Sequence, residues 1–336
     1  MRILVTGAAG FIGSYVASSL HKLGHSVLAV DSLSPYYSIN LKQLRKSRLV
    51  VSEGVEFKVV ELSDDKAVQS LFSEEQFDVV VHLAAQPGVR IPIEKWSWYK
   101  RDNLDAFSSI LLAASKNNVS DFLYASSSSV YGNGHNGNPL NEKSSTPSPV
   151  SFYGSTKLTN EILAEACSRQ MNIRTRGLRF FTVYGPWGRP DMVYFRMVSS
   201  ALNQIPFNFY GNGNVSRDFT FIDDVTSSVV DLMSELSSHK KNFSDVVNVG
   251  GGKPISISSC LAIIEDLMGC DVPFDRLSAD HRDVDSTNAD FTYLKSLIGS
   301  SPTTSTNIGF SKFITWAQNP EIAESLAAWI KSVDED

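Results

Sequence analysis

In the stretch FYGSTKLTNE, residues 152 to 161, a phenol and an ammonium stand four residues apart, as Tyr153 and Lys157. Residues at that spacing share a helix face, with about 5 to 6 Å between their Cβ atoms, so the lysine can hold its charge beside the phenol. A free phenol ionises near pH ~10 and is a poor base at neutral pH. A nearby cation, joined by the positive ring of an oxidised nicotinamide, favours the phenolate. Such a base can take a hydroxyl proton while hydride leaves the same carbon. A tyrosine and lysine so spaced also arise by chance on surface helices, so position carries the weight. This pair opens the helix after the strand-like run ASSSSVYG, whose hydroxyls can hydrogen-bond a substrate oxygen, pass on a proton, or simply cap the strand.

A second constellation lies at the start of the chain. ILVTGAAGFIGSYV places Gly7, Gly10 and Gly13 between an apolar strand-like run and an apolar-periodic helix. Glycines there let the backbone turn tightly and approach a pyrophosphate, whose charge meets the amides of the helix N-terminus. Asp31 ends the next strand-like run, placed for a ribose 2′-hydroxyl, and an acid at that point favours NAD over its 2′-phosphorylated form.

These groups need a scaffold, and the hydrophobic pattern supplies one. RILVTG, SVLAVD, VEFKVV, FDVVVHLAA, DFLYASS and IRTRGLRFF read as buried strands, alternating with amphipathic stretches such as 11 to 23 and 103 to 117. The alternation predicts an α/β protein, a Rossmann-type doubly wound parallel sheet with helices on both faces. After about residue 185 the chain turns to Pro, Gly and Asn punctuation, with helix-like runs near 192 to 204, 223 to 237 and 256 to 268. We expect a dinucleotide-binding domain over 1–185, to which a strand and helix around 220–252 return, and a smaller mixed α/β substrate-binding lobe over 186–336.

Composition narrows the function classes. With 336 residues and 42% hydrophobic content the chain can bury a large core, and a net charge of −6 without a basic block argues against nucleic acid. Cys167, Cys260 and Cys270 match neither a disulfide framework nor a zinc knuckle, and the histidines, among them His82, His135 and His281, lack metal-site spacing. With no apolar run near 18 residues and no signal-like N-terminus, the expectation is a soluble, cytoplasmic protein without metal or membrane partner.

Together GAAGFIG, HLAAQPGVR, ASSSSVYG, FYGSTK, LRFFTVYGPWGRPDM, RDFTFIDD and SPTTSTNIGFSKFITW resemble, in order and over nearly the whole chain, the extended short-chain dehydrogenase/reductase superfamily. Within it they resemble the nucleotide-sugar 4-epimerases. The run RFFTVYGPWGRPDM is most similar to UDP-glucuronate 4-epimerases of bacteria and plants. The resemblance implies that Tyr153 is the base, that Lys157 supports it and binds the nicotinamide ribose, and that Ser127 relays a proton. It places Ser128 and Ser129 near the sugar, Thr182 and Arg189 on the sugar carboxylate, and Arg217 and Arg282 on the UDP diphosphate and ribose. It also places Phe11, Ile12, Leu83, Ala84, Ala85 and Asn103 on the cofactor beside the three glycines. A guanidinium fork suits a carboxylate or phosphate because it donates two parallel hydrogen bonds.

The implied reaction is inversion at C4 of a UDP-sugar through a 4-keto intermediate, with tightly held NAD restored each cycle. From a uronic acid that intermediate is a β-keto acid, which loses carbon dioxide if its carboxylate aligns with the carbonyl π system; Arg189 and Thr182 would hold it out of alignment. Epimerisation of a neutral or N-acetylated UDP-hexose is the alternative within the same class. A 4,6-dehydratase or decarboxylase needs a carboxylate just after Ser127, where this chain has Ser128, Ser129 and Val130. An NAD-binding sensor without catalysis has no need of the tyrosine, lysine and serine set. Glu61 stands where the family usually has aspartate at the adenine end, Asp64 being the other candidate, and Pro87 replaces a common alanine. The resemblance further implies a homodimer built on helices near 103 to 117 and 153 to 170. Residues 320 to 332 read as an amphipathic helix starting at Pro320, for which packing on the chain's own surface is expected.

Overall fold

The computed structural model describes residues 1–133, 137–143, 145, 147–279, 284 and 286–334. The first six strands are β1 (Arg2–Thr6), β2 (Ser26–Asp31), β3 (Glu56–Val59), β4 (Val79–His82), β5 (Asp121–Ser127) and β6 (Arg174–Phe180), each at one of the six apolar runs read from the sequence. Between them lie α1 (Phe11–Lys22), α2 (Ile39–Arg45), α3 (Asp65–Glu74), α4 (Trp96–Tyr99), α5 (Ala106–Lys116) and α6 (Phe152–Met171). The chain continues through β7 (Thr182–Tyr184), α7 (Val193–Asn203), β8 (Phe207–Tyr210), β9 (Ser216–Arg217), β10 (Phe219–Phe221), α8 (Ile222–Leu236) and β11 (Ser244–Val249). It ends with β12 (Ile255–Ser256), α9 (Ile257–Met268), β13 (Phe274–Leu277), α10 (Thr292–Ile298), α11 (Thr306–Ala317) and α12 (Pro320–Asp334).

Seven strands form one sheet in the order β11-β6-β5-β4-β1-β2-β3, parallel throughout. Alternate residues of each strand face opposite sides, so both faces must be apolar if both are covered. That is what the strands carry: Ile3, Val5, Val81 and Leu123 pack on the side of α1 and α8, while Leu4, Val80, Phe122 and Tyr124 pack on the side of α3, α5 and α6. The fold is thus the Rossmann-type sheet expected, and the chain comes back to it at β11, beside β6. Three two-stranded ladders, β7 with β10, β9 with β12 and β8 with β13, lie beyond the carboxyl end of β6 in sequence. Among the described residues no helix is long and apolar enough to cross a membrane.

The order reverses at β1, whose neighbours are β2 and β4. Connections leaving β1 and β4 therefore diverge to opposite faces, and a crevice opens at their carboxyl ends. The ends are tied together below it. Thr6 Oγ1 hydrogen-bonds His82 Nδ1 at 2.9 Å and accepts the Ala84 amide at 3.2 Å. Burial, with the charge of Lys157 adding to it, pushes His82 down to about 3, so its ring is a neutral structural partner.

Candidate active site

A cavity of about 730 Å³ occupies the crevice and extends under β7 and β9, a size usual for small-molecule clefts. Gly7, Gly10, Phe11, Ile12 and Gly13 line one end, with Asp31 at the rim and Leu83, Ala84 and Ala85 opposite. Gly7 has φ +70°, and a Cβ on it would lie 2.6 Å from the Ala84 nitrogen. A Cβ on Gly13 would lie 2.1 Å from the Gly7 carbonyl oxygen. The helix start can sit this close to the loop only with glycine at both points. Gly10 caps α1 without a side chain, and the first turn carries no acid, so the helix N-terminus presents amides and a positive dipole end. Asp31 accepts the amides of Ala9 at 3.0 Å and Leu33 at 2.7 Å, which fixes its carboxylate beside the loop. These residues fit a dinucleotide.

Ser151 opens α6 by accepting the Gly154 amide at 3.0 Å, which sets Tyr153, Lys157 and Glu161 on one face against β5 and β6. Tyr153 and Lys157 line the cavity beside Ser127, Ser128 and Ser129. Burial raises the Tyr153 phenol above its ordinary value; the charge of Arg189, then a hydrogen bond with Ser127, work against that rise. Lys157 shares the helix face with Tyr153, and its ammonium also reaches the neighbouring strand. Its ammonium donates to the Ala125 carbonyl at 3.0 Å, 5.9 Å from the centre of the Tyr153 ring. Burial pulls it down to about 7.

The four serines divide between tasks. Ser127 accepts the Ser129 amide at 3.1 Å and caps the turn that follows β5. Ser126 donates to Glu161 Oε1 at 2.5 Å. Glu161 also takes Arg179 in a two-pronged pair, at 2.8 and 2.7 Å, and all three residues are buried. This network locks α6 to the ends of β5 and β6, and so fixes the height of Tyr153 above the cavity.

Thr182, Arg189 and Arg217 line the far end. Arg189 is half-buried, and its fork closes on Asp191 through Nε at 3.0 Å and through Nη2. Burial pushes the Asp191 carboxyl up, but Arg189 and Arg196 outweigh it and hold the carboxyl below its ordinary value. Tyr36 reaches the same place, close to Gly88 and within the field of Asp191 and Arg189. The sequence reading missed both Asp191 and Tyr36. Asp191 was visible as an acid two residues from the arginine, whereas nothing local marks Tyr36.

Asn103 does not line the cavity. Its amide bridges the backbone of Gln86, at 2.7 and 3.1 Å, and Thr156 Oγ1 at 3.0 Å, holding the loop after β4 to the start of α6. Glu61 lines the cavity while its carboxylate accepts the Ser63 amide, and Asp64 caps α3. Arg282 lies outside the described residues. Among those residues no cluster of His, Cys, Asp or Glu is arranged to hold a metal.

Fold and cavity together define a dinucleotide-binding protein with Tyr153, Lys157 and Ser127 on one wall of the cavity. Residues 3–250 match the family model described as NAD dependent epimerase/dehydratase family, and the chain belongs to that family. It is 37% identical over 329 residues to Protein CapI of Staphylococcus aureus, with 94% of this chain and 98% of that one covered. It is 34% identical over 330 residues to a probable UDP-glucuronate 4-epimerase of Rhizobium meliloti, with 94% and 96% covered. Among solved structures it is similar to the UDP-glucuronic acid 4-epimerase of Bacillus cereus in complex with UDP-glucuronic acid and NAD, with 31% identity, a TM-score of 0.86, and 94% and 98% covered.

Proposed function

We propose that this protein inverts C4 of UDP-glucuronate to give UDP-galacturonate, using NAD held on the glycine loop. The observation that carries the reading is Arg189, half-buried and fixed by Asp191, on the wall of the cavity that also holds Tyr153 and Ser127. The relatives named above support it.

Gly7, Gly10, Gly13 and Asp31 would hold NAD, which would supply the hydride acceptor and donor at the sugar carbon. Tyr153 takes the C4 hydroxyl proton and gives it back, with Ser127 hydrogen-bonding the same oxygen. Lys157 sits below the phenol, available to the nicotinamide ribose and able to take or release a proton near neutral pH. Thr182 and Arg189 restrain the carboxylate of the 4-keto sugar, and Arg217 holds the diphosphate. Asn103 serves by positioning the loop at Ala84 and Ala85. A dehydratase or decarboxylase reading fits less well, because Asp191 is the carboxylate at this end of the cavity and its oxygens are held by Arg189.

A homodimer and a reducing, cytoplasmic setting belong to the same proposal. Leu112 on α5 and Ile162 and Leu163 on α6 are exposed on adjacent helices, and the three cysteines are free. An NMR time course with UDP-glucuronate and no added NAD tests the activity through the anomeric proton of UDP-galacturonate. Arg189→Ala should cut kcat/KM for UDP-glucuronate by about 10- to 100-fold, the value of one or two charge-assisted hydrogen bonds, and release carbon dioxide. Conversion of UDP-glucose or its N-acetyl form instead of UDP-glucuronate would overturn the substrate assignment.

A further inference from the structure

Arg45, the last residue of α2, is fully buried, does not line the cavity, and among the described residues has no acidic partner. Its hydrogen bonds end on neutral oxygens: Nε on the Trp187 carbonyl at 2.8 Å, Nη2 on the Gly188 carbonyl at 2.7 Å, and Nη1 on the Tyr37 hydroxyl at 2.6 Å. Burying a guanidinium without a carboxylate is costly, so the arrangement calls for a reason.

The segment it grips supplies one. Trp187 has φ +62°, an unfavourable conformation for a bulky side chain that persists only where the surroundings impose it. Gly185 O accepts the Gly188 amide at 3.1 Å, and Pro186 O accepts Tyr15 Oη at 3.0 Å. With the two carbonyls held by Arg45, four consecutive carbonyls are anchored immediately before Arg189. The start of α2 is tied in turn to α12. Trp329 Nε1 donates to Asn40 Oδ1 at 3.2 Å, and the Ser38 amide donates to Ser332 Oγ at 2.8 Å.

We propose that Arg45 is a positioning residue for the sugar carboxylate: its fork sets the backbone at Trp187 and Gly188, and through it the direction in which Arg189 presents its own fork. The inference rests on the uronate reading above. A loosened Arg189 lets the carboxylate of the 4-keto sugar turn into line with the carbonyl. The C5–C6 bond then breaks, its electron pair passes into the C4 carbonyl as an enolate, and carbon dioxide leaves. Protonation at C5 yields a UDP-4-keto-pentose, with the cofactor left reduced.

The test measures carbon dioxide released per UDP-galacturonate formed, in wild type and Arg45→Lys, which keeps the charge but cannot span two carbonyls and a phenol. We expect the ratio to rise about tenfold or more, since misplacement of a group by ~1 Å can cost about 100-fold. In a Tyr153→Phe background, calorimetry should show weaker binding of UDP-glucuronate with binding of UDP unchanged. A merely structural role would lower thermal stability and leave both the ratio and this discrimination unmoved, which overturns the proposal. Should Arg45→Lys not fold, Tyr37→Phe decides, since it keeps the ring and removes one acceptor; a smaller rise supports the proposal and none overturns it. A wild type that leaves UDP-glucuronate untouched defeats the substrate assignment and the proposal together. A wild type that epimerises it beside a variant with an unchanged ratio defeats the proposal alone.

Discussion

Between Thr6 and Phe11 the cavity wall is main chain: Gly7 turns back on Ala84, Gly13 closes on the Gly7 carbonyl, and the Ala9 amide meets Asp31. Between Thr182 and Asp191 it is held by side chains arriving from elsewhere, Arg45 from 142 residues away and Tyr15 from 171. The first wall is made by short-range geometry that admits no Cβ. The second is made by long side chains that satisfy carbonyls in a loop with little structure of its own. The contrast teaches that the dinucleotide end tolerates little change in size at a few positions, whereas the sugar end depends on charge and reach at positions that touch no ligand.

Three experiments press on this contrast, beginning with the largest effect. Gly13→Ala puts a Cβ 2.1 Å from the Gly7 carbonyl oxygen, so the loop must open. NAD affinity by calorimetry should fall about 100-fold, or ~3 kcal/mol, and turnover of every sugar should fall with it. A loss confined to uronates would erase the distinction between the two walls.

Glu161 stands where the walls meet, and removing its charge leaves Arg179 buried without its acid. Glu161→Gln should lower stability in urea unfolding by about 3 kcal/mol and slow UDP-sugars of either kind in the same proportion. An unchanged midpoint would mean that α6 is held by packing alone.

The third experiment reads stability against pH in the protein stripped of NAD. Lys157 is pulled from 10.5 to about 7 by burial, so between those values the unfolded chain binds more protons than the folded one. Its contribution to stability therefore rises with pH through that window and is flat below it. Lys157→Met should remove this rise, so its stability gain over wild type is largest at pH 7 and shrinks towards pH 10. A gap independent of pH would show that Lys157 keeps its charge when folded.

The local readings fared well where the physics is local. Six apolar runs became the six strands expected, and α12 begins at Pro320 and packs on the chain's own surface through the buried Leu326 and Trp329. The helix spacing of Tyr153 and Lys157 was legible, but it did not reveal that the ammonium turns to Ala125. Asn103, assigned to the cofactor by resemblance, holds the Gln86 backbone instead of lining the cavity. The segment SPYYSINLKQLRKSRLV drew no notice, because nothing in its local pattern marks which of its basic residues is buried.

By itself the sequence determined the alternation of strand and helix, which follows a period of 2 or 3.6, and marked the glycine turn and the acid after the next strand by residue type and spacing. Only the tertiary structure decided that the Lys157 ammonium bonds the Ala125 carbonyl, that Asp191 closes on Arg189, and that Arg45 holds the loop in front of it. Those outcomes depend on burial and on distances between remote segments. A charged side chain's partners and proton affinity are set by what the fold places around it, and no local pattern encodes that.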